Sequence, residues 1–230
     1  MSREIVVAID GPGGAGKSTV SRMLAHELGF RYVDTGAMYR VIGVLAAERG
    51  IAIEDATGLH RLCDETRIDF VDREGKPRVL AGDRDMTEVI RTAEAAQHAS
   101  RYSTVAAVRD HLVAQQRAMG DAGGVVMEGR DIGTVVFPNA ELKVFLDASP
   151  RERARRRAME LHSTVTEEEI ETMARDIAER DHRDRTRAHS PLRAADDALV
   201  VDTTKSSIET VVKDLLVLAR ERQTGLASES

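Results

Sequence analysis

The chain has 230 residues, 42% apolar and 31% charged, with a formal net charge of -6. That composition excludes disordered and fibrous classes. No run approaches the ~20 apolar residues of a membrane span, the lone Cys63 cannot close an internal disulfide, and net acidity argues against general nucleic-acid binding. The expectation is therefore a cytoplasmic protein with no membrane or nucleic-acid partner. Its 28 Arg against 5 Lys fit either a GC-rich genome or the use of Arg forks on phosphates.

In chain order, Glu4 to Asp10 reads as a buried parallel strand; its apolar run is too short for a signal-peptide core. A Gly-rich segment follows, then a helix from Thr19 to Leu28. Arg31 to Val33 is a weaker strand. Arg67 to Asp85 breaks the rhythm: Ile68 and Phe70, a polar turn from Asp72 to Lys76, then Val79 and Leu80 predict a small antiparallel hairpin inserted in a sheet domain. Further buried strands are predicted at Gly124 to Met127, Leu142 to Asp147 and Leu199 to Asp202. Ser149 with Glu152, Thr166 with Glu169 and Ser206 with Glu209 read as capping boxes, with Pro150 at a first helical position. The last helix puts Ile208, Val211, Val212, Leu215, Leu218 and Ala219 on one face, and the tail from Gln223 is expected to fray. Continuous apolar strands with helices between them predict a doubly wound α/β sheet.

Gly11-Pro12-Gly13-Gly14-Ala15-Gly16-Lys17-Ser18 matches the pattern G-x-x-x-x-G-K-[ST] in its required place, after a strand and before a helix. The glycines let successive N–H groups turn toward phosphate oxygens. Lys17 can reach β- and γ-phosphates, Ser18 can ligate Mg²⁺, and the helix N-terminus adds its positive end. The motif alone serves kinases, switches and motors alike. The single Asn139 leaves no N-K-x-D element of the kind that reads guanine. Asp147 and Asp202 both end apolar strands, and neither stands out as a metal carboxylate.

Three further stretches could bind a second anion. In Asp34-Thr35-Gly36-Ala37-Met38-Tyr39-Arg40, Arg40 stands about one turn into a helix. In Glu128-Gly129-Arg130-Asp131-Ile132-Gly133-Thr134, two glycines flank an Arg-Asp pair beyond a buried strand, where ligands of open α/β sheets bind. In the helix from Glu167 to about Arg187, Arg180, Arg183, Asp184 and Arg187 recur at i, i+3, i+4 and i+7 and share a face. On its own that last stretch fits a solvated helix with i,i+4 ion pairs slightly better than an anion site. The seven His show no metal-ligand spacing.

Together these motifs, with Val135-Val136-Phe137-Pro138 after the second and Glu179-Arg180-Asp181-x-Arg183-Asp184-Arg185-x-Arg187 in the third, resemble the bacterial cytidylate kinase family from about residue 4 to 222. The resemblance implies the P-loop nucleoside monophosphate kinase fold, a five-stranded parallel sheet with flanking helices, an inserted antiparallel acceptor-binding subdomain and a short LID. It implies one domain over 1–230, with a core at about 1–60, 95–150 and 190–222, an acceptor insertion at about 61–94, a LID at about 151–190 and a tail at 223–230. The donor implied is ATP with Mg²⁺, the acceptor CMP or dCMP, and the working unit a monomer. The resemblance assigns donor binding to Gly11, Pro12, Gly13, Gly14, Ala15, Gly16, Lys17, Ser18 and Thr19, with Arg153. Catalysis falls to Lys17, Arg130, Arg180 and Arg157. Acceptor contacts fall to Thr35, Arg40, Ser100, Arg109, Arg130, Asp131, Arg180, Asp184 and Arg187: Arg40 and Arg130 on the phosphate, Ser100, Arg109 and Asp131 on cytosine with Arg187 beside them, Arg180 and Asp184 on the ribose. Thr35 stands where many members have Ser, Glu128 where some have Asp, and Ala106 where a Pro is usual.

Overall fold

The structure is a computed structural model that describes residues 4–74, 76–161, 165–187 and 189–228. The elements run β1 (Val6–Asp10), α1 (Lys17–Leu28), β2 (Arg31–Asp34), α2 (Thr35–Glu48), α3 (Ala56–Glu65), β3 (Ile68–Arg73), β4 (Lys76–Ala81), β5 (Arg84–Asp85), α4 (Ala93–Tyr102) and α5 (Ala106–Gly120). They continue with β6 (Val125–Gly129), a one-turn π-helix (Ile132–Val136), β7 (Leu142–Asp147), α6 (Pro150–Leu161), α7 (Glu167–Thr186), β8 (Leu199–Asp202) and α8 (Ile208–Ser228). The chain forms two compact units: residues up to Tyr32 with those from Gly120 onward, and Val33–Met119.

The first unit is built on a five-stranded sheet of order β2-β6-β1-β7-β8. Its strands run parallel, with Val7 opposite both Val126 of β6 and Leu142 of β7, and Val144 opposite Leu199. Every residue of β1 and β6 is buried, as uninterrupted apolar runs demand when both faces of a parallel sheet are covered. Ile5, Val7 and Ile9 alternate onto one face and pack with Val20 and Leu24 of α1 and with Val211, Val212, Leu215 and Ala219 of α8. Burying a side chain such as Leu24 there contributes about 1.5–3 kcal/mol. From β1 the chain continues to β2 on one side of the sheet, and from its neighbour β7 to β8 on the other, so the ends of β1 and β7 flank a topological switch point, where α/β ligands bind. Gly29, in the left-handed region at φ 71°, ends α1.

Several sequence expectations change here. β8 is an edge strand with one neighbour, so Leu199 and Val200 remain exposed instead of buried. Thr166 forms its full capping box, but the Ser149 box is half made: Ser149 Oγ accepts from the N–H of Glu152, whose carboxylate pairs with Arg155 and Arg156. Ser207, not Ser206, caps α8 through the N–H of Thr210. Ile208 at the start of α8 is exposed, and α8 continues to Ser228 where fraying from Gln223 was expected.

The second unit has its own core. Met38, Val41, Ile42 and Leu45 of α2 pack with Leu59 and Leu62 of α3, Ile68 of β3, Met86, Ile90, Ala99 of α4 and Leu112 of α5. The predicted hairpin is present as antiparallel β3 and β4, with Ile68 opposite Ala81 and Arg73 opposite Lys76, and β5 adds a third strand. Gly75 of its turn lies outside the described residues. Because the hairpin shares one apolar cluster with α2, α4 and α5, the compact body is Val33–Met119, larger than the insertion at 61–94 expected from sequence.

Candidate active site

The Gly-rich loop joins β1 to α1. Gly11 sits at φ 144°, and a Cβ there would overlap the carbonyl oxygen of Leu146 on β7; only glycine lets the loop leave the sheet this way. Gly16, in the left-handed region, caps α1 with no side-chain hydrogen bond, so the first N–H groups of α1 point at whatever faces the loop. Lys17 is buried and donates to the carbonyl of Pro12 at 2.8 Å. Ser18 is exposed and Thr19 half-buried.

The loop is held from behind. Arg153 of α6 is buried and donates to the carbonyls of Ala148 (3.0 Å) and Gly13 (3.1 Å), while its Nη1 stands 2.7 Å from the buried Asp181 carboxylate of α7. Through Nε and Nη1 its guanidinium supports the loop from behind. Thr203, just past β8, lies within hydrogen-bond reach of the carbonyls of Ala15 (3.0 Å) and Asp147 (3.1 Å). Arg156 donates to the Thr203 hydroxyl and carbonyl and to Glu152. Arg157 is half-buried on the same helix.

The loop after β6 completes a cationic cluster in this unit. Arg130 donates from Nε to Asp184 at 3.0 Å, and its Nη2 would lie 3.7 Å from a Cβ on Gly13. Arg187 approaches the Asp131 carboxylate at 3.7 Å. Burial raises the Asp184 carboxyl, but the guanidiniums of Arg130, Arg180 and Arg187 outweigh it and hold the group below the usual carboxylate range. Burial, then the charges of Arg130 and Arg180, press Lys17 down to about 7 against the opposing pull of Glu128 and Asp10. Cations crowded so that one loses its proton form a site that an anion would relax. Arg183 is not part of it: it is exposed and faces Glu179, because the true neighbours of Asp184 on this face are Arg180 and Arg187.

Two buried acids sit here, Asp10, which sequence reasoning passed over, and Glu128, which it named within a motif without giving it a role. Asp10, the last residue of β1, is buried and accepts from the N–H groups of Ile132 (2.8 Å) and Gly133 (2.7 Å); burial pushes it up to about 6. Glu128 is buried and accepts from the Tyr32 hydroxyl. The strand-end acids weighed from sequence serve local turns instead: Asp147 accepts from Ala148 N–H and Asp202 from Thr204 N–H.

The remaining candidates lie in the second unit. Asp34 caps α2 through the N–H of Ala37 and holds Arg40 at 2.6 Å. Arg40 Nε and Ser100 Oγ are buried with no hydrogen-bond partner in the described protein, the mark of groups left for a ligand. Thr35 and Arg109 are buried. Arg109 donates to the carbonyl of Ser103, and its guanidinium carbon lies 5.8 Å from the centre of the Tyr39 ring, a face sequence reasoning did not foresee.

Comparison with known proteins places the chain in a family. The cytidylate kinase family model matches residues 7–221. A cytidylate kinase of Pelotomaculum thermopropionicum is 50% identical over 215 residues, covering 93% of this chain and 94% of that protein. One of Syntrophotalea carbinolica is 45% identical over 223 residues, covering 97% and 95%.

Proposed function

This chain belongs to the cytidylate kinase family, and from that premise we propose how its residues divide the reaction. The chain is a phosphotransferase that moves a phosphoryl group to CMP, with ATP and dCMP as the family's donor and further acceptor. The observation that carries the proposal is the placing of buried Lys17 on the Gly-rich loop, with Arg130 held by Asp184 beside Gly13 of the same loop, a cationic cluster that a phosphate would relieve.

On the donor side, the backbone of Gly11 to Gly16 and the N-terminus of α1 cradle the β- and γ-phosphates, with Thr19 adding to the first turn. Arg153 supports this cradle through the Gly13 carbonyl. Ser18 offers an exposed neutral hydroxyl at the loop's end, which suits Mg²⁺, an ion that keeps most of its shell for water and nucleotide phosphates; this chain would hold it through Ser18. Bound there, Mg²⁺ supplies charge neutralisation on the phosphate oxygens. Lys17, Arg130, Arg180 and Arg157 would do the same from the protein, and in-line transfer requires little more than positioning and charge.

On the acceptor side, the family resemblance supports Arg40 and Arg130 for the phosphate, Arg180 and Asp184 for the ribose, Ser100, Arg109 and Asp131 with Arg187 for the base, and Thr35 as a further contact. Asp131 can accept from the 4-amino group of cytosine. UMP presents an oxygen at that place, and a buried carboxylate facing an oxygen disfavours it strongly. The same reading has the enzyme work as a cytoplasmic monomer without nucleic-acid or membrane partners.

A coupled assay across CMP, dCMP, UMP and AMP with ATP-Mg tests this. CMP and dCMP should be the best acceptors. AMP as best acceptor, or ATP hydrolysis independent of any monophosphate, would overturn it.

A further inference from the structure

Asp10 does two things at once. Its backbone ends the central strand β1, opposite Gly129 of β6, immediately before the phosphate loop. Its side chain reaches past that junction: Oδ1 accepts from Ile132 N–H at 2.8 Å and Oδ2 from Gly133 N–H at 2.7 Å. Those two donors directly follow Arg130 and Asp131. They also open the one-turn π-helix, in which the Asp131 carbonyl accepts from Val135 (2.9 Å) and Val136 (3.2 Å). A residue with both carboxylate oxygens on consecutive N–H groups fixes that stretch of backbone against β1.

The arrangement leaves no slack on the loop's other side. A Cβ on Gly133 would come within 3.4 Å of Asp10 Oδ2 and 3.3 Å of the Lys143 side chain. Lys143 is itself tied to Asp197 and to the Pro138 carbonyl. Asp10 is 4% exposed. Keeping a carboxylate there works against its desolvation, which simple packing would not require.

We propose that Asp10 is a positioning residue for the acceptor: through the N–H groups of Ile132 and Gly133 it sets where Arg130 and Asp131 stand. The proposal rests on the acceptor roles given to Arg130 and Asp131. Both of its carboxylate oxygens are engaged by the loop that carries Arg130 and Asp131, so its removal should disturb acceptor use far more than donor use.

The test measures KM for CMP and for ATP, and the CMP/UMP ratio of kcat/KM, in Asp10→Asn, Gly133→Ala, Arg130→Ala and Asp131→Asn. Asp10→Asn keeps one acceptor oxygen and turns an NH₂ group toward a backbone N–H. It should raise KM for CMP at least about tenfold, leave KM for ATP within about threefold, and narrow the CMP/UMP ratio. Gly133→Ala, which leaves Asp10 intact and pushes the same backbone outward, should show the same split at smaller size. That variant decides the matter if Asp10→Asn does not fold. Parallel rises in both KM values, or an unchanged CMP/UMP ratio in both variants while Asp131→Asn loses it, would overturn the positioning role alone. If Asp131→Asn itself leaves the ratio intact, the base-reading assignment falls and the proposal falls with it.

Discussion

Lys17 carries the sharpest consequence of the site's electrostatics. Burial and the nearby Arg130 and Arg180 press its ammonium down to about 7 from 10.5. At pH 8 a group with that pKa is about one-tenth protonated, so most molecules offer a neutral amine. Phosphate oxygens at contact distance reverse the bias and recharge it. Binding of ATP-Mg at pH 8 should therefore take up about 0.9 proton per site. Between pH 8 and 9 affinity should fall about tenfold, or about 1.4 kcal/mol. Isothermal titration calorimetry in buffers of different ionisation enthalpy gives the proton count directly. A terminal phosphate ionises near pH 6 and is fully charged at pH 8, so the uptake belongs to the protein. Lys17→Met removes the ammonium, and its uptake should vanish with its affinity flat in pH. Uptake below about 0.2 proton in the unaltered enzyme, or equal uptake in Lys17→Met, would refute the idea that the arginines and burial hold Lys17 down.

Other outcomes follow from buried contacts in the same unit. Arg153→Met strands the buried Asp181 carboxylate and should cost about 3–5 kcal/mol in denaturant unfolding, most of it regained in the double variant with Asp181→Leu; a double variant as weak as the single one would show that the pair's charge is not the issue. Gly11→Ala places a Cβ against the Leu146 carbonyl and should abolish ATP binding while a fold survives by circular dichroism; normal turnover would disprove the close approach. Asp10 is raised to about 6 from 3.8, so the folded chain keeps a proton that the unfolded chain releases. Its contribution to stability is greatest below about pH 4 and declines by about 3 kcal/mol as pH rises to about 6. Asp10→Asn should flatten that part of the stability profile, and identical slopes for both proteins would count against it.

How the parts were legible differs by kind. The strand at Leu142–Asp147 stands where its apolar run places it, because a parallel sheet writes burial as uninterrupted sequence; the run at Leu199–Asp202 marks a strand too, but at the sheet's exposed edge. The Gly-rich loop is readable because its backbone conformation demands particular residues. Arg130 and Asp184 are recognisable from motifs, yet nothing in sequence pairs residues 54 positions apart. Arg153 shows the limit most clearly. The resemblance assigns it to the donor, and only the packing of α6 on α7 reveals that its guanidinium also meets the buried Asp181 carboxylate. Asp10 escaped notice for the same reason: its partners are backbone N–H groups more than 120 positions away, and backbone donors leave no trace in residue identity. The second unit's extent escaped because a shared core, not the hairpin's own boundaries, decides which helices belong with it.

The central place of β1 also bears on how the protein is made. Val6 to Asp10 pair only with residues from Val125 to Gly129 and from Leu142 to Phe145. At ~5–20 residues per second of synthesis, the ~120 residues between β1 and β6 keep that strand waiting roughly 6–24 s for its first sheet neighbour. The phosphate loop waits longer still, since Thr203, which braces Ala15, comes 188 residues later. The nucleotide cradle is thus encoded early and finished late. In the interval Val6 to Ile9 form an unpaired apolar edge on the nascent chain, the kind of segment that chaperones cover and that invites aggregation when they do not.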